Sequence, residues 1–142
     1  MSDFSEYYRN VIVNHALLGG AFTPPVALYI ALFTSGTGLE ANDPTGEVTA
    51  ADYVRMPVSL SAPNSVAGLS NNSEAVIWEP ALSDWAPIES EITHIALVDH
   101  VSNADWGVDV NVIMFDELTT PIAIVTDDIL RIPIEGLEIQ IT

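Results

Sequence analysis

From residue 26 onward the chain is a succession of short apolar or alternating segments, each cut off by Gly, Pro, Asn or Asp before it reaches the length of a stable helix. This punctuation constrains the fold more than any other feature, because period-two alternation is what a strand with one buried face requires. Residues 53–60 alternate, which places Val54, Met56, Val58 and Leu60 inward and Arg55, Pro57 and Ser59 outward. Pro57 has no N–H to give to a ladder and puts this strand at an edge or a bulge. Residues 26–33 are apolar on both faces, as in a central strand covered from both sides. Further strands are expected at 74–79, with Val76 and Trp78 on one side, and at 92–99, with Ile95 and Leu97 opposite to His94, Ala96 and Val98. Segments 110–118, 121–125, 129–134 and 137–142 complete the set, with tight turns at Thr126-Asp127-Asp128 and Glu135-Gly136. Residues 34–51 read as a long exposed loop and 61–73 as a second.

One helix precedes these strands. Phe4, Tyr8, Ile12 and His15 recur at helical spacing over residues 3–18, with Ser2 as N-cap, Asp3 and Glu6 in the first turn, and Gly19-Gly20 as the stop. Strand–helix alternation is absent, which excludes a doubly wound sheet. The expected fold is mainly β: a jelly-roll-like antiparallel β-sandwich of about eight strands with one N-terminal α-helix. It forms a single domain over 1–142, with residues 1–20 packed on it or on a neighbouring chain.

Composition removes several function classes. The 142 residues include 20 Asp or Glu, three Arg (Arg9, Arg55, Arg131) and no Lys, for a net charge of −17. Nucleic-acid binding needs Lys and Arg to replace phosphate counterions, and three scattered arginines do not supply them. The same charge is repelled by anionic lipid headgroups, and no apolar run is long enough to span a bilayer. With 49% hydrophobic residues the chain has the means to bury a core and does not read as disordered. Without cysteine there is no disulfide, thiolate nucleophile or Cys-ligated metal. The acidic N-terminus has no basic stretch followed by an apolar one, so no secretion signal is expected.

Signs of chemistry are sparse. There is no Gly-rich phosphate loop with its lysine, no H-E-x-x-H and no G-x-S-x-G. His94 and His100 near Asp99 offer a thin basis for a metal site, while His15 belongs to the helix stripe. Glu40, Asp43 and Glu47, with Asn42, are oxygen ligands that a hard cation would accept, and Asp105 and Asp109 flank another turn, but neither set has EF-hand spacing. Solvated loop carboxylates are the plainer reading; no catalytic residue, metal site or cofactor is expected. Trp78 alternates inward. Trp85 and Trp106 sit in loops and are the better surface candidates, for a protein interface or for stacking on a sugar.

The order of segments resembles the small phage virion proteins labelled tail fibre, minor tail or head decoration protein. Residues 28–34 (LYIALFT) match a strand reading Leu-Tyr-x-Ala-Leu-[FH]-T, and 52–58 (DYVRMPV) match G-Y-A-R-x-x-V. An Asn-x-x-x-I-x-F-P-x-A element corresponds to 72–81, a Trp-Gly element to 84–86, and Thr-His-x-x-[IL]-x-D-A to 93–100. A turn resembling G-D falls at Asp127-Asp128, and the closing strand G-x-L-x-I-x-[IL] at 136–141. Departures are the missing Gly at 52 and 127, Ala86 for Gly and His100 for Ala.

The resemblance implies a β-sandwich without chemistry, used in many copies and commonly as a homotrimer. A capsid decoration (cement) protein bound to the major capsid protein is the first expectation, and a tail-associated or tail fibre protein the second. A sugar-binding module using Trp85 and Trp106 is the rival from another class. The protein is expected to be made in the host cytoplasm and to end in the virion, bound to itself and to other virion proteins. Phe4, Tyr8, Ile12, Trp85 and Trp106 are the candidate interface residues.

Overall fold

An apolar strand needs cover on both faces, and the run 28–33 receives it. The computed structural model describes residues 1, 3–64, 68–102 and 105–140. Nine strands and one helix follow in the order β1 (Asp3–Phe4), α1 (Glu6–Leu18), β2 (Leu28–Phe33), β3 (Met56–Val58), β4 (Ser70–Asn71), β5 (Val76–Ile77), β6 (Ile92–Val98), β7 (Val112–Ile122), β8 (Arg131–Ile132) and β9 (Glu138–Ile139) among the described residues. Five of them form one antiparallel sheet in the order β1-β7-β6-β2-β3. The edge position expected from Pro57 is observed, since β3 is the outer strand beside β2.

The two faces of the sheet carry separate cores. Ile30 and Leu32 of β2 join Ile95 and Leu97 of β6 on one face, with Trp78, Trp85, Ile124 and Leu137 over them. Ala31, Phe33, Ala96 and Val98 take the other face with Leu39, Val110 and Val112. The first face is covered by two short ribbons, β4-β9 and β5-β8, which bring in Val76 and Leu137. The described pairing is thus mainly β with one N-terminal helix, as expected, and consists of one five-stranded antiparallel sheet and two two-stranded ribbons.

Four local expectations are corrected. Residues 34–51 do not hang in solvent: Leu39, Asn42, Pro44 and Val48 are buried, Leu39 in the core of the second face and Val48 in that of the first. Gly38 makes that packing possible, with φ +81° and no room for a Cβ, which would lie 1.9 Å from the Asp43 carbonyl oxygen. In 53–60 the alternation holds from Met56 onward, with Ser59 exposed and Leu60 packed on the core. Before Met56, Val54 is exposed and Arg55 is 3% exposed, because the chain there has left the ladder. The segments 110–118 and 121–125 merge into β7, where the register runs from His94↔Glu117 to Ile92↔Ile122 and the extra residues around Pro121 bulge outward.

The fourth correction concerns the helix start. Asp3 and Phe4 pair with β7 as strand β1, and Ser5 is the N-cap, its hydroxyl accepting from Tyr8 N–H at 3.2 Å and donating to the Val112 carbonyl. Burial explains the shift, since Ser5 is fully enclosed against β7. The stop at Gly19 is as expected, in the left-handed region at φ +71°. Ser2, the expected cap, and Ile141 and Thr142 of the last expected strand lie outside the described residues.

Candidate interaction surface

The segments that resemble virion proteins turn out to hold buried polar clamps. Arg55 forms a two-pronged ion pair with Glu47, both bonds 2.7 Å, and its Nη1 donates to the His100 and Ser102 carbonyls at 3.0 and 2.7 Å. Its guanidinium also lies 4.8 Å from the Trp106 ring centre. Tyr53 sits beside it, donating to Glu47 at 3.3 Å and accepting from Leu32 N–H at 2.9 Å, beyond the paired part of β2 and β3. Burial, followed by the Glu47 charge, pushes the Tyr53 phenol well above its ordinary range, so it stays neutral.

Asp52 organises the next corner. It accepts from Ser83 Oγ, from the Trp85 indole at 2.7 Å and from Leu82 N–H at 2.7 Å. The Ser83 bond foremost, with those of Trp85 and Leu82, holds its carboxyl down to about 2 against the desolvation that raises it. Asn72 is fully buried; its amide donates to the Glu74 and Pro133 carbonyls and accepts from Leu137 N–H, all within 2.8 Å. Asp99 accepts from Asn111 backbone and side chain, Asn111 accepts from Asn42, and Asn42 accepts from Val112 N–H. Arg55 and Asn72 are buried and Asp52 and Asp99 half-buried, and each bonds to its own fold.

The candidate ligand sets do not assemble. Glu40 pairs with Arg9 at 2.8 Å on the surface, while Glu47 is buried against Arg55, so Asp43 is left without them. Asp105 and Asp109 close a turn through backbone bonds. His15 bonds the Gly20 carbonyl, His94 bonds Thr93 Oγ1 and packs against Gly36, and His100 bonds Ser102. Among the described residues no three His, Asp or Glu are grouped to hold a metal ion.

The aromatic candidates are also placed differently. Trp85 is 7% exposed, stacked edge-on against Tyr53 and tied to Asp52, which corrects its reading as a surface residue. Trp106 is half-buried, with Phe33 6.3 Å from its ring and Arg55 against it, and is not a free stacking platform. Phe4 and Tyr8 stack on each other at 5.7 Å and pack on the core of the first face. Ile12 is half-buried. The stripe named from the sequence therefore joins the helix to its own domain.

What the stripe leaves outside is the other side of α1. No helix residue is fully buried, and Tyr7, Val13, Leu17 and Leu18 are exposed, the last two by 77% and 75%. The chain then returns along the helix, with Phe22 6.2 Å from Tyr8 and 5.8 Å from His15, before Val26 emerges fully exposed. Leu17 and Leu18 were missed as candidates, although a signal for them stands in the sequence: no Asp or Glu occurs anywhere from residue 7 to residue 39. Among the described residues, no helix is long and apolar enough to cross a membrane.

Comparison with curated proteins finds no match. A family model described as podophage GP4 fiber I protein gp80 matches residues 3–140, which takes in both core faces, the ribbons, the buried clamps and the helical arm. The chain belongs to this podophage fiber I protein family, and is thus a structural component of a phage virion.

Proposed function

We propose that this protein is a non-enzymatic structural element of the phage fibre apparatus. The carrying observation is the family match, which runs over residues 3–140 of the chain. The buried clamps support the same reading, since Asp52, Arg55, Asn72 and Asp99 are the residues a search for chemistry would select, and each bonds to its own fold. A fibre role takes precedence over head decoration because the family description is of a fibre protein. Its partners are other virion proteins and further copies of itself, and the resemblance found in the sequence favours a homotrimer.

Immunogold labelling of purified virions is the direct test, with gold expected at the tail and fibres. Particles lacking the protein are expected to retain DNA normally on heating and to lose adsorption to host cells. Gold over the head, with early DNA release on heating and normal adsorption, would return the protein to the cement role.

A further inference from the structure

The 20 carboxylates of this chain are not spread evenly. All lie at Asp3, Glu6 or from Glu40 onward, and the 33 residues between carry none, where an even spread would put about five. Burial explains the gap over β2, whose side chains fill both cores. It does not explain residues 7–27, none of which is buried. Their only formal charge is Arg9, already paired with Glu40. On this arm the exposed large apolar side chains are Tyr7, Val13, Leu17, Leu18 and Val26, and the exposed polar ones are Arg9, Asn10, Asn14, His15 and Thr23. Other large apolar side chains, among them Leu82, Ile88 and Val108, are as exposed, but each of these has an Asp or Glu within two positions, whereas Val13, Leu17 and Leu18 have none.

We infer that the outward side of the arm, centred on Leu17 and Leu18, is the contact between copies of this chain. The occupant follows from charge. Two copies each carry −17, so they repel wherever carboxylates face one another, and contact is least opposed where carboxylates are missing. A basic partner imposes no such exclusion and is attracted instead to the acid-rich remainder. The geometry agrees: Tyr8, Ile12 and His15 hold one side of α1 toward Phe4, Phe22 and the domain, which leaves Val13, Leu17 and Leu18 turned away from it. A helix of 13 residues is about 20 Å long, enough to pack along its counterpart in a second copy. The inference names the contact for the self-assembly proposed above and is independent of where in the virion the protein sits.

The absence of cysteine makes the test clean. In the Leu18→Cys variant, oxidation can join only one copy to another, and disulfide geometry requires the two Cα atoms within about 7 Å. Covalent dimers are expected from Leu18→Cys and not from Thr119→Cys, an exposed site on β7. Light scattering of the unmodified protein in moderate salt should show association that the double variant Leu17→Glu, Leu18→Glu abolishes, with an unchanged β-type circular dichroism spectrum. Adding the same two charges at Thr119 and Thr120 should leave association intact. A monomer at every concentration, or association indifferent to Leu17 and Leu18, overturns the inference. Virion binding that needs Leu17 and Leu18 in a strictly monomeric protein also overturns it, and assigns the arm to a different virion protein while leaving the fibre location standing.

Discussion

In the β body, polar side chains are turned inward to hold segments that have little regular structure of their own; in the arm of residues 7–27, apolar side chains are turned outward with nothing over them. Glu47 is 8% exposed at its side chain and fixes Arg55, and Asn72 is completely enclosed. Leu17, an ordinary core residue, is 77% exposed. The contrast has a physical cause. Four of the nine described strands are two-residue ribbons, too short to be held by ladder bonds, so buried side-chain bonds to backbone replace them. The arm has its own ladder within the helix and needs no such clamps. Its side chains are therefore available for an outside surface.

The contrast is broken most severely at Arg55. Removing it by Arg55→Ala leaves Glu47 buried without its counter-ion and the His100 and Ser102 carbonyls without a donor. Such a loss costs about 3–5 kcal/mol, read as a drop in the midpoint of urea unfolding. Arg55→Lys should recover little, since an ammonium cannot make the two parallel bonds to Glu47 or lie flat on Trp106. The double variant Arg55→Met, Glu47→Leu should be more stable than Arg55→Ala, because no lone charge remains. Equal stability of Arg55→Lys and the unmodified protein would show the clamp to be ornamental.

Asn72 comes next. Asn72→Ala removes three bonds to backbone in an enclosed site and should cost about 2–3 kcal/mol by the same measurement. Asn72→Asp should cost more than Asn72→Ala at neutral pH, because both amide donor bonds go to carbonyl oxygens and a carboxylate turns each into a repulsion. The reverse order would mean that the site opens to water.

Asp52 sharpens the comparison through pH. Its folded pKa of about 2 lies below the unfolded value, so its contribution to stability is complete above about pH 4 and is lost as the pH falls toward 2. Melting temperature should fall over that window, and Trp85 fluorescence should change with it, since Trp85 bonds this carboxylate directly. In Asp52→Asn both responses should be smaller. An unaltered acid limb in that variant would remove Asp52 from the account.

The parts of this fold that were legible in sequence are those governed by period and burial. Residues 28–33 are apolar on both faces and became the strand with a core on each side. Pro57 marked an edge, and Val76 and Trp78 pointed inward. The clamps were not legible, because alternation cannot tell a buried arginine from a solvated one. Alternation points Arg55 outward, but the strand that obeys it begins one residue later, at Met56. Trp85 was assigned to the surface because its loop is irregular, and the bond that buries it comes from Asp52, 33 positions away. Phe4 was drawn into the helix by spacing, while β7, more than a hundred residues on, claims it as strand. The arm was half legible: the helix and its stop were plain, and the missing carboxylates were there to be counted.

The smallest expected effect on stability is in the arm, and it tests the division most directly. A residue as exposed as Leu17 loses little transfer free energy on truncation, so Leu17→Ala in dilute protein should shift stability by no more than about 0.5 kcal/mol. The same reasoning sets the order of hydrogen exchange. Amides of β2 and β6 lie in the middle of the five-stranded sheet under two cores and open only with the whole domain. Those of residues 13–18 are held by helix bonds alone, with no buried side chain to keep the turns closed. At low concentration the arm should exchange well before the central strands. At high concentration, once copies meet through Leu17 and Leu18, its amides should slow while β2 and β6 stay as they were. Exchange of the arm as slow as β2 in dilute protein would show that it is part of the body after all, and that its exposed leucines do not mark a separate surface.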